Sequence, residues 1–477
     1  MPIQRPVPSD EADLTPSMAG DRPMSNSTPS PDRWLDQIDS FVGSTPPDSA
    51  RAAGARVVSD VLAATVAGSR FDGYLDTWSS IELPDGPSTV LGTARTTDAI
   101  SAAGLNGTAA ISQEIEEGHN TGGHVGAGIV VGGFAAAEAV DASGRDLVDA
   151  VTIAYEICTR LEHALFSLKA MINDESPWLI RNPHSTWTTV GPALAASLVI
   201  DPEGGSAMEA FLLGANRSVV SMYDPYREGP PDRNVTSGAS AATGVFLSRL
   251  ARAGLPGSPD TINTVYHPFE DILPDGFEAS FDDLGARWSV TEAYFKPYPS
   301  CRYTHAPLDA LCDIDVEIDP ATVTAIEVAT YANAVDMANK HPTTPTGAKF
   351  SIPYVLATYL HRGIPTFEDF LPESIADPAV QATADLVELS VDDDFERRFP
   401  EDWGARVCVT VGDGSTLTAE RRFPRGDHRE PIDDDAFADR LATILSVGLD
   451  DRVDEAVTAL LDIETDSARE VGSKLRP

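Results

Sequence analysis

Residues that could do acid–base chemistry cluster in one short segment of the sequence. The segment 113–124 carries Glu114 and two further glutamates ahead of His119 and His124. Carboxylates and imidazoles that lie close together can divide the roles of proton donor and proton acceptor. Their spacing matches no common metal signature, so we expect no bound metal here. The alternative is a solvated acidic loop that precedes a buried helix.

Two further segments carry groups suited to binding an anion. His184 lies in a proline-led turn, and a histidine at the start of a helix is well placed to bind an anion. Arg233 stands in a loop rich in glycine and proline, where its guanidinium could bind a carboxylate through two hydrogen bonds. The plainer alternatives are a capping histidine and a surface arginine paired with surface acids.

Lys296 and Tyr354 are candidates from the second half of the chain. Lys296 is one of only five lysines and is framed by aromatic residues and prolines, which suits a carboxylate anchor or a general acid. The alternative is an exposed lysine at a domain junction. Tyr354 falls one turn into a predicted helix, where its hydroxyl could donate a hydrogen bond, although an aromatic residue at that spacing usually belongs to a core.

The elements that must position these groups are mostly helices. Alanine-rich amphipathic patterns at 51–68 and 143–165 predict helices, and similar patterns continue to about residue 290. β-branched alternation at 323–331, 406–411 and 415–422 predicts strands, with a hairpin turn between the last two. Helical periodicity returns after Asp433. We therefore expect a mainly α fold.

The change from helical patterns to β-branched alternation, and the return of helical periodicity after Asp433, divide the chain into regions. Residues 1–31 lack periodicity and predict a disordered tail. Residues 32–292 together with 431–477 are expected to form an all-α domain. Residues 293–430 are expected to form a smaller α+β domain.

Composition narrows the possible partners. Thirty-four basic residues against 74 acidic ones give a net charge of −40, which argues against binding to nucleic acid or to an anionic membrane surface. The four cysteines are scattered, so neither a metal cluster nor a disulfide framework is expected. Without an apolar targeting segment, we expect a soluble cytoplasmic protein. The acid surplus with few lysines suggests a halophilic cytoplasm, and an acidic mesophilic protein is the alternative.

Five blocks of the sequence, taken in order, resemble the signature blocks of the MmgE/PrpD family. The blocks are HVGAGIVVGGFAAAEAV, SGRDLVDAVTIAYEICTRL, HSTWTTVGPALAAS, KPYPSCRYTHAPLDA and AKFSIPYVLATYL. That family contains 2-methylcitrate dehydratase, cis-aconitate decarboxylase and iminodisuccinate epimerase. The resemblance implies a large all-α domain built from both chain ends, an inserted lid domain and a homodimer. It also implies a site in the cleft between domains that works without metal or cofactor.

The resemblance also assigns roles to individual residues. It implies that Lys296 and Arg233, aided by His124, bind the substrate carboxylate on which negative charge develops during the reaction. His119 is expected to be a further substrate-binding residue. It assigns the remaining proton transfers to Glu114, His184 and Tyr354, and it leaves open which of them is the base.

Three departures from the family pattern leave the substrate open. Residues 116–118 are Glu-Glu-Gly, whereas the family has an acidic stretch that ends in threonine. Val125 follows His124 at a position where proline is common in the family. Arg233 stands where some members of the family have lysine. The first prediction is a hydro-lyase of the 2-methylcitrate dehydratase type. The alternatives are decarboxylation of a cis-aconitate-like acid and epimerisation of an amino or imino dicarboxylate. A non-catalytic carboxylate-binding protein is an outside alternative.

Overall fold

α-Helices form most of the architecture, which confirms the predicted mainly α fold. The structure, a computed structural model, describes residues 33–71, 73–120, 123–175, 189–217, 229, 232–259 and 278–477. The predicted tail 1–31 lies outside these residues. Up to residue 259 the described helices are α1 (Arg33–Val42), α2 (Asp48–Gly68), α3 (Tyr74–Ser79), α4 (Ala99–Ala110), α5 (Val125–Val140), α6 (Gly144–Glu175), α7 (Val190–Ile200), α8 (Ala207–Ala215) and α9 (Asp232–Arg252).

The rest of the chain alternates short helices with strands before ending in three helices. The helices are α10 (His305–Cys312), α11 (Ala332–Val335), α12 (Pro345–Lys349), α13 (Ile352–Arg362), α14 (Pro372–Ile375), α15 (Pro378–Ala384), α16 (Asp393–Arg398), α17 (Asp434–Ser446), α18 (Val453–Leu461) and α19 (Ala468–Lys474). In the described part of the chain, no helix combines the length and apolar character needed to cross a bilayer.

The strands form one small mixed sheet and two short ribbons. They are β1 (Ser88–Thr89), β2 (Thr96–Thr97), β3 (Gly118–His119), β4 (Ala293–Tyr294), β5 (Val323–Thr330), β6 (Val387–Val391), β7 (Ala405–Val411) and β8 (Thr416–Arg421). The sheet has the order β6-β5-β7-β8, with β6 parallel to β5 and the other pairs antiparallel. The hairpin that the sequence predicts is the β7–β8 connection.

The larger hydrophobic core surrounds α5. This helix is buried along almost its whole length and packs against α4, α6, α7 and α9. Glycines permit the close approach: a Cβ at Gly191 would overlap the side chain of Ile129. Apolar residues of the C-terminal helices, including Phe437 and Leu460, belong to this same core. The predicted domain boundaries at 292 and 430 stay predictions.

A second core lies between the sheet and helices α10 and α13. Its buried members run from Tyr298 to Val409 and include Tyr354. The inward faces of β5 and β7 supply Ile326, Val328 and Val407, which follow the alternation expected of half-buried strands.

The two cores meet where β3 pairs with β4. Gly118 lies opposite Tyr294 in this antiparallel ribbon, so the chain between α4 and β3 runs beside the residues that follow β4. Asn120 reinforces the junction by donating a hydrogen bond to the buried Asp427, which also pairs with Arg302. This junction brings together parts of the chain that are distant in sequence, and Asn120 and Asp427 are 307 residues apart.

The crossing of α4 and α9 depends on small residues and gives a stability prediction. A Cβ at Gly238 would overlap the carbonyl oxygen of Gly104 and Oγ1 of Thr108, whereas a Cβ at Gly104 would meet Ala242 Cβ at 3.5 Å. We expect Gly238→Ala to lower the free energy of unfolding by about 1–3 kcal/mol through overpacking. The control Gly104→Ala should leave stability unchanged or raise it by up to about 1 kcal/mol, since alanine favours the helix. Denaturant unfolding measures both, and equal effects would contradict the packing argument.

Candidate active site

Glu114 lies at the centre of a buried cluster of charged side chains. Its Oε1 pairs with Arg233 Nη2 at 2.5 Å, and its Oε2 accepts a hydrogen bond from Lys296 Nζ at 3.0 Å. His124 Nε2 lies 3.6 Å from the same Oε2. Glu114 and Lys296 are both fully buried. One carboxylate therefore binds two cations and contacts an imidazole away from solvent.

Glu116 extends the cluster on the other side of the imidazole. His124 Nδ1 lies 2.8 Å from Glu116 Oε1, and Lys296 Nζ lies 4.0 Å from Glu116 Oε2. His124 thus sits between two carboxylates, with one ring nitrogen directed at each. Such an imidazole can take up a proton beside compensating negative charge.

Each of these side chains comes from the end of an element. His124 immediately precedes α5, Arg233 lies in the first turn of α9, and Lys296 follows β4 by two residues. The sequence placed Arg233 in a loop, and the structure corrects this, because the helix already begins at Asp232. Glu114 lies between α4 and β3 with a φ of 52°, in the left-handed region that non-glycine residues rarely adopt.

The surrounding charges decide the ionisation of both glutamates. Burial alone would raise the pKa of Glu114, but Arg233, Lys296 and His124 outweigh it and hold that pKa well below its usual range. Burial likewise opposes ionisation of Glu116, and Lys296 and His124 lower its pKa on balance. Both side chains are therefore carboxylates at neutral pH, and they balance the two cations.

The cluster does not fit a metal ion. Glu114, Glu116 and His124 offer ligand atoms that lie within 4.8 Å of one another. However, both oxygens of Glu114 are already paired with cations, and Lys296 Nζ lies within 4.0 Å of both glutamates. A divalent cation would face the ammonium and the guanidinium at short range, so the arrangement suits an anionic ligand instead.

The structure brings together four of the seven predicted site residues: Glu114, His124, Arg233 and Lys296. His184 lies outside the described residues. His119 is buried in β3, with Nε2 3.8 Å from Glu292 Oε2 and its ring edge-on to Tyr155. Burial, aided by neighbouring cationic groups, lowers the pKa of His119 to about 3, so the imidazole is neutral.

Tyr354 lies in the second core. Its hydroxyl donates a hydrogen bond to the carbonyl oxygen of Asp369 at 2.5 Å. Burial raises the pKa of Tyr354 to about 12. The roles predicted for His119 and Tyr354 stay predictions.

Sequence reasoning missed Lys349, which contacts the segment next to Glu114. Its buried ammonium donates hydrogen bonds to Gln113 Oε1 at 2.8 Å and to the carbonyl oxygen of Ser112 at 3.1 Å. The scarcity of lysine that singled out Lys296 would also have found Lys349. Phe350, the next residue, places its ring 5.2 Å from the guanidinium carbon of Arg233. The second core therefore contacts the cluster directly.

Glu117, the last glutamate of the acid–base segment 113–124, has a different environment from its neighbours. Its Oε1 accepts a hydrogen bond from the amide of Gly126 at 2.6 Å, and its Oε2 lies 3.0 Å from the hydroxyl of Tyr155. Among the described residues, the neighbours that most affect its charge are Tyr155, Asp60, the amide of Gly126 and Glu116. Burial raises the pKa of Glu117 to about 8, and the nearby Asp60 and Glu116 add to this effect. The side chain is therefore mostly protonated at neutral pH.

Comparison with known proteins identifies the family of the chain. The MmgE/PrpD N-terminal domain matches residues 37–282, and the MmgE/PrpD C-terminal domain matches residues 298–463. The chain therefore belongs to the MmgE/PrpD family, which includes dehydratases and decarboxylases of the lyase type. The chain is also similar to the cis-aconitate decarboxylase-like protein oryM of Aspergillus oryzae. The two are 24% identical over 416 residues, which cover 80% of this chain and 83% of that protein.

The environment of Glu117 predicts a pH-dependent stability. Because its folded-state pKa of about 8 exceeds the ordinary value, the folded protein binds the extra proton between about pH 4.5 and pH 8, and this contribution to stability is lost as pH rises through that range. In Glu117→Gln the amide oxygen can accept from Gly126 and the NH2 group can donate to the Tyr155 oxygen. We expect this variant to reduce the fall in the free energy of unfolding by up to about 1 kcal/mol per pH unit. Denaturant unfolding from pH 5 to pH 9 measures the effect.

The matched control for this experiment is Glu373→Gln, which changes an exposed glutamate in α14. Its stability profile should follow that of the unmodified protein. A Glu117→Gln profile that is parallel to the unmodified one would show that Glu117 is ionised in the folded protein.

Proposed function

We propose that this protein is a cofactor-independent lyase that acts on a small polycarboxylate, with dehydration of a 2-methylcitrate-like hydroxy acid as its reaction. The observation that carries the proposal is the pair of cations, the fully buried Lys296 and the partly buried Arg233, on opposite oxygens of Glu114. A lysine has three donors and an arginine five, so both cations retain donors for a second carboxylate. Family membership supports the same class of reaction.

Dehydration next to a carboxylate needs fixed positive charge. Removing the proton on the carbon beside a carboxylate pushes electrons into that carboxylate and gives it dianionic character. Lys296 and Arg233 lie together at the cluster and are already oriented by Glu114, so they can stabilise the new charge without reorganising. Burial strengthens this interaction, because the effective dielectric constant inside a protein is lower than that of water.

The proton transfers fall to the imidazole and the carboxylates. His124, with Glu114 and Glu116 on either side, can take the carbon-bound proton as a base and is stabilised as an imidazolium by both. As the carbon–carbon double bond forms, the hydroxyl group must leave as water with a proton from an acid. We assign this acid to Tyr354, and His184 and Glu114 remain the alternative bases.

Decarboxylation of a cis-aconitate-like acid is the second candidate. It is favoured by the similarity to a cis-aconitate decarboxylase-like protein. In that reaction the substrate loses carbon dioxide, the electron pair passes towards a remaining carboxylate, and a protonated group returns a proton to carbon. Lys296 and Arg233 would serve the same purpose in both reactions. Epimerisation of an amino or imino dicarboxylate and simple carboxylate binding are weaker alternatives.

The assembly and location rest on the resemblance and the composition alone. We propose a homodimer that works in the cytoplasm without nucleic acid or membrane partners. A lid role for the second core is part of the same proposal, because its Lys349 and Phe350 contact the cluster.

A deuterium-exchange assay tests the proposed function. Purified protein in deuterated water is mixed with 2-methylcitrate, citrate, cis-aconitate and related dicarboxylates and followed by NMR. We expect loss or gain of water, whereas release of carbon dioxide would select the decarboxylase, and exchange without net conversion would select the epimerase. Lys296→Met should lower kcat by about 100-fold or more, since a fixed charge that stabilises the transition state is lost.

Two further variants make the result interpretable. Lys340→Met is the matched control, because Lys340 pairs with Glu388 at the surface of the second core. Arg233→Lys keeps the positive charge and provides a milder change at the site should Lys296→Met fail to fold. Turnover of Lys296→Met at the unmodified rate would contradict the proposed role of the lysine.

A further inference from the structure

Arg440 connects the two backbone segments that carry the central ion pair. It lies in α17, and its side chain is only 7% exposed. Its guanidinium donates hydrogen bonds to the carbonyl oxygen of Lys296 and to the carbonyl oxygen of Ile115, the residue after Glu114. One planar group therefore bridges the backbones next to both members of the Glu114–Lys296 pair.

Asp60 fixes the orientation of that guanidinium. Its Oδ1 lies 2.8 Å from both Nε and Nη2 of Arg440. Asp60 is fully buried in α2. The segment after Glu114 is thus bound at Ile115 by Arg440, whose orientation a buried carboxylate fixes.

The unusual backbone conformation of Glu114 depends on contacts of this kind. A non-glycine residue in the left-handed region is strained and persists only where the surroundings enforce it. Lys349 binds the carbonyl of Ser112 and the side chain of Gln113 before Glu114, and Arg440 binds the carbonyl of Ile115 after it. The unusual conformation is therefore constrained on both sides.

We propose that Arg440 is a positioning residue for the proposed reaction. By bridging the carbonyl groups of Ile115 and Lys296, Arg440 sets the separation of Glu114 and Lys296. Arg440 does not touch the substrate in this scheme. The effect of Arg440 on kcat rests on the proposed function, whereas its coupling of the two backbone segments does not. The guanidinium suits this role because its donors lie in one rigid plane, and an ammonium group has no such fixed arrangement.

Three variants separate positioning from charge and from general stability. Arg440→Lys keeps the charge but cannot span two carbonyl groups and Asp60. Arg440→Ala removes both the positive charge and the bridge between the two carbonyl groups. Arg452→Ala is the matched control, because Arg452 also bridges two carbonyl oxygens, those of Ser473 and Arg476, within the C-terminal helices.

The kinetic readout is the separate change in kcat and KM. We expect Arg440→Lys to lower kcat by about 100-fold, the effect typical of a misplaced catalytic group, with a smaller rise in KM. Arg452→Ala should retain the kcat of the unmodified protein. An unmodified kcat in Arg440→Lys would show that charge alone suffices, and this would overturn the proposal.

Hydrogen exchange gives a readout that needs no substrate. In Arg440→Lys we expect faster amide exchange in both segments 111–118 and 293–298, and unchanged exchange in both for Arg452→Ala. Faster exchange in only one segment, or in neither, would overturn the proposal. If the unmodified protein converts none of the acids, the proposed function fails, and the exchange result still decides whether Arg440 couples the two segments.

Discussion

The burial of an ion pair between Glu114 and Lys296 is the constraint on which the rest of the site depends. Removing two charges from water is costly, and a buried pair often stabilises a protein no better than well-packed apolar residues would. This pair nevertheless lies at the junction of two cores, with Arg233 as a second cation and with a strained backbone at Glu114. A buried charge cluster that requires so much support is best explained by what it can bind.

The fold supplies that support from several directions. The α-helical core contributes Glu114, His124 and Arg233 from the ends of elements, where backbone and side chain can depart from helical geometry. The β3–β4 ribbon brings Lys296 alongside them. Lys349 then reaches the same segment from the second core. Because both cores contact the cluster, any relative movement of the cores would alter the environment in which the ions lie.

Sequence patterns predicted what depends on local periodicity and on composition. The helical pattern at 51–68 corresponds to α2, and the alternation at 323–331 corresponds to β5, which ends one residue earlier, at Thr330. Lys296 could be singled out because lysine is rare in this chain, and Arg233 because of its place in a family pattern. The helical start at Asp232 was not predicted, because glycine and proline dominate the residues just before it.

Long-range contacts account for what the sequence could not predict. Arg440 and Asp60 are 380 residues apart, and nothing in the local pattern around either one indicates a partner. The contrast between Glu116 and Glu117 is also beyond the sequence: adjacent residues of one type differ in charge because one faces cations and the other faces a tyrosine and a backbone amide. Such differences arise only once the chain is folded.

The most direct test of the account is a crystal structure of the protein with propane-1,2,3-tricarboxylate, a polycarboxylate that has no hydroxyl group to lose. We expect one carboxylate of this compound to lie within hydrogen-bond distance of both Lys296 Nζ and the Arg233 guanidinium. We expect His124 to lie next to the carbon atom that carries this carboxylate. A compound bound elsewhere, with the cations contacting Glu114 alone, would contradict the claim that this buried cluster is the site of substrate binding.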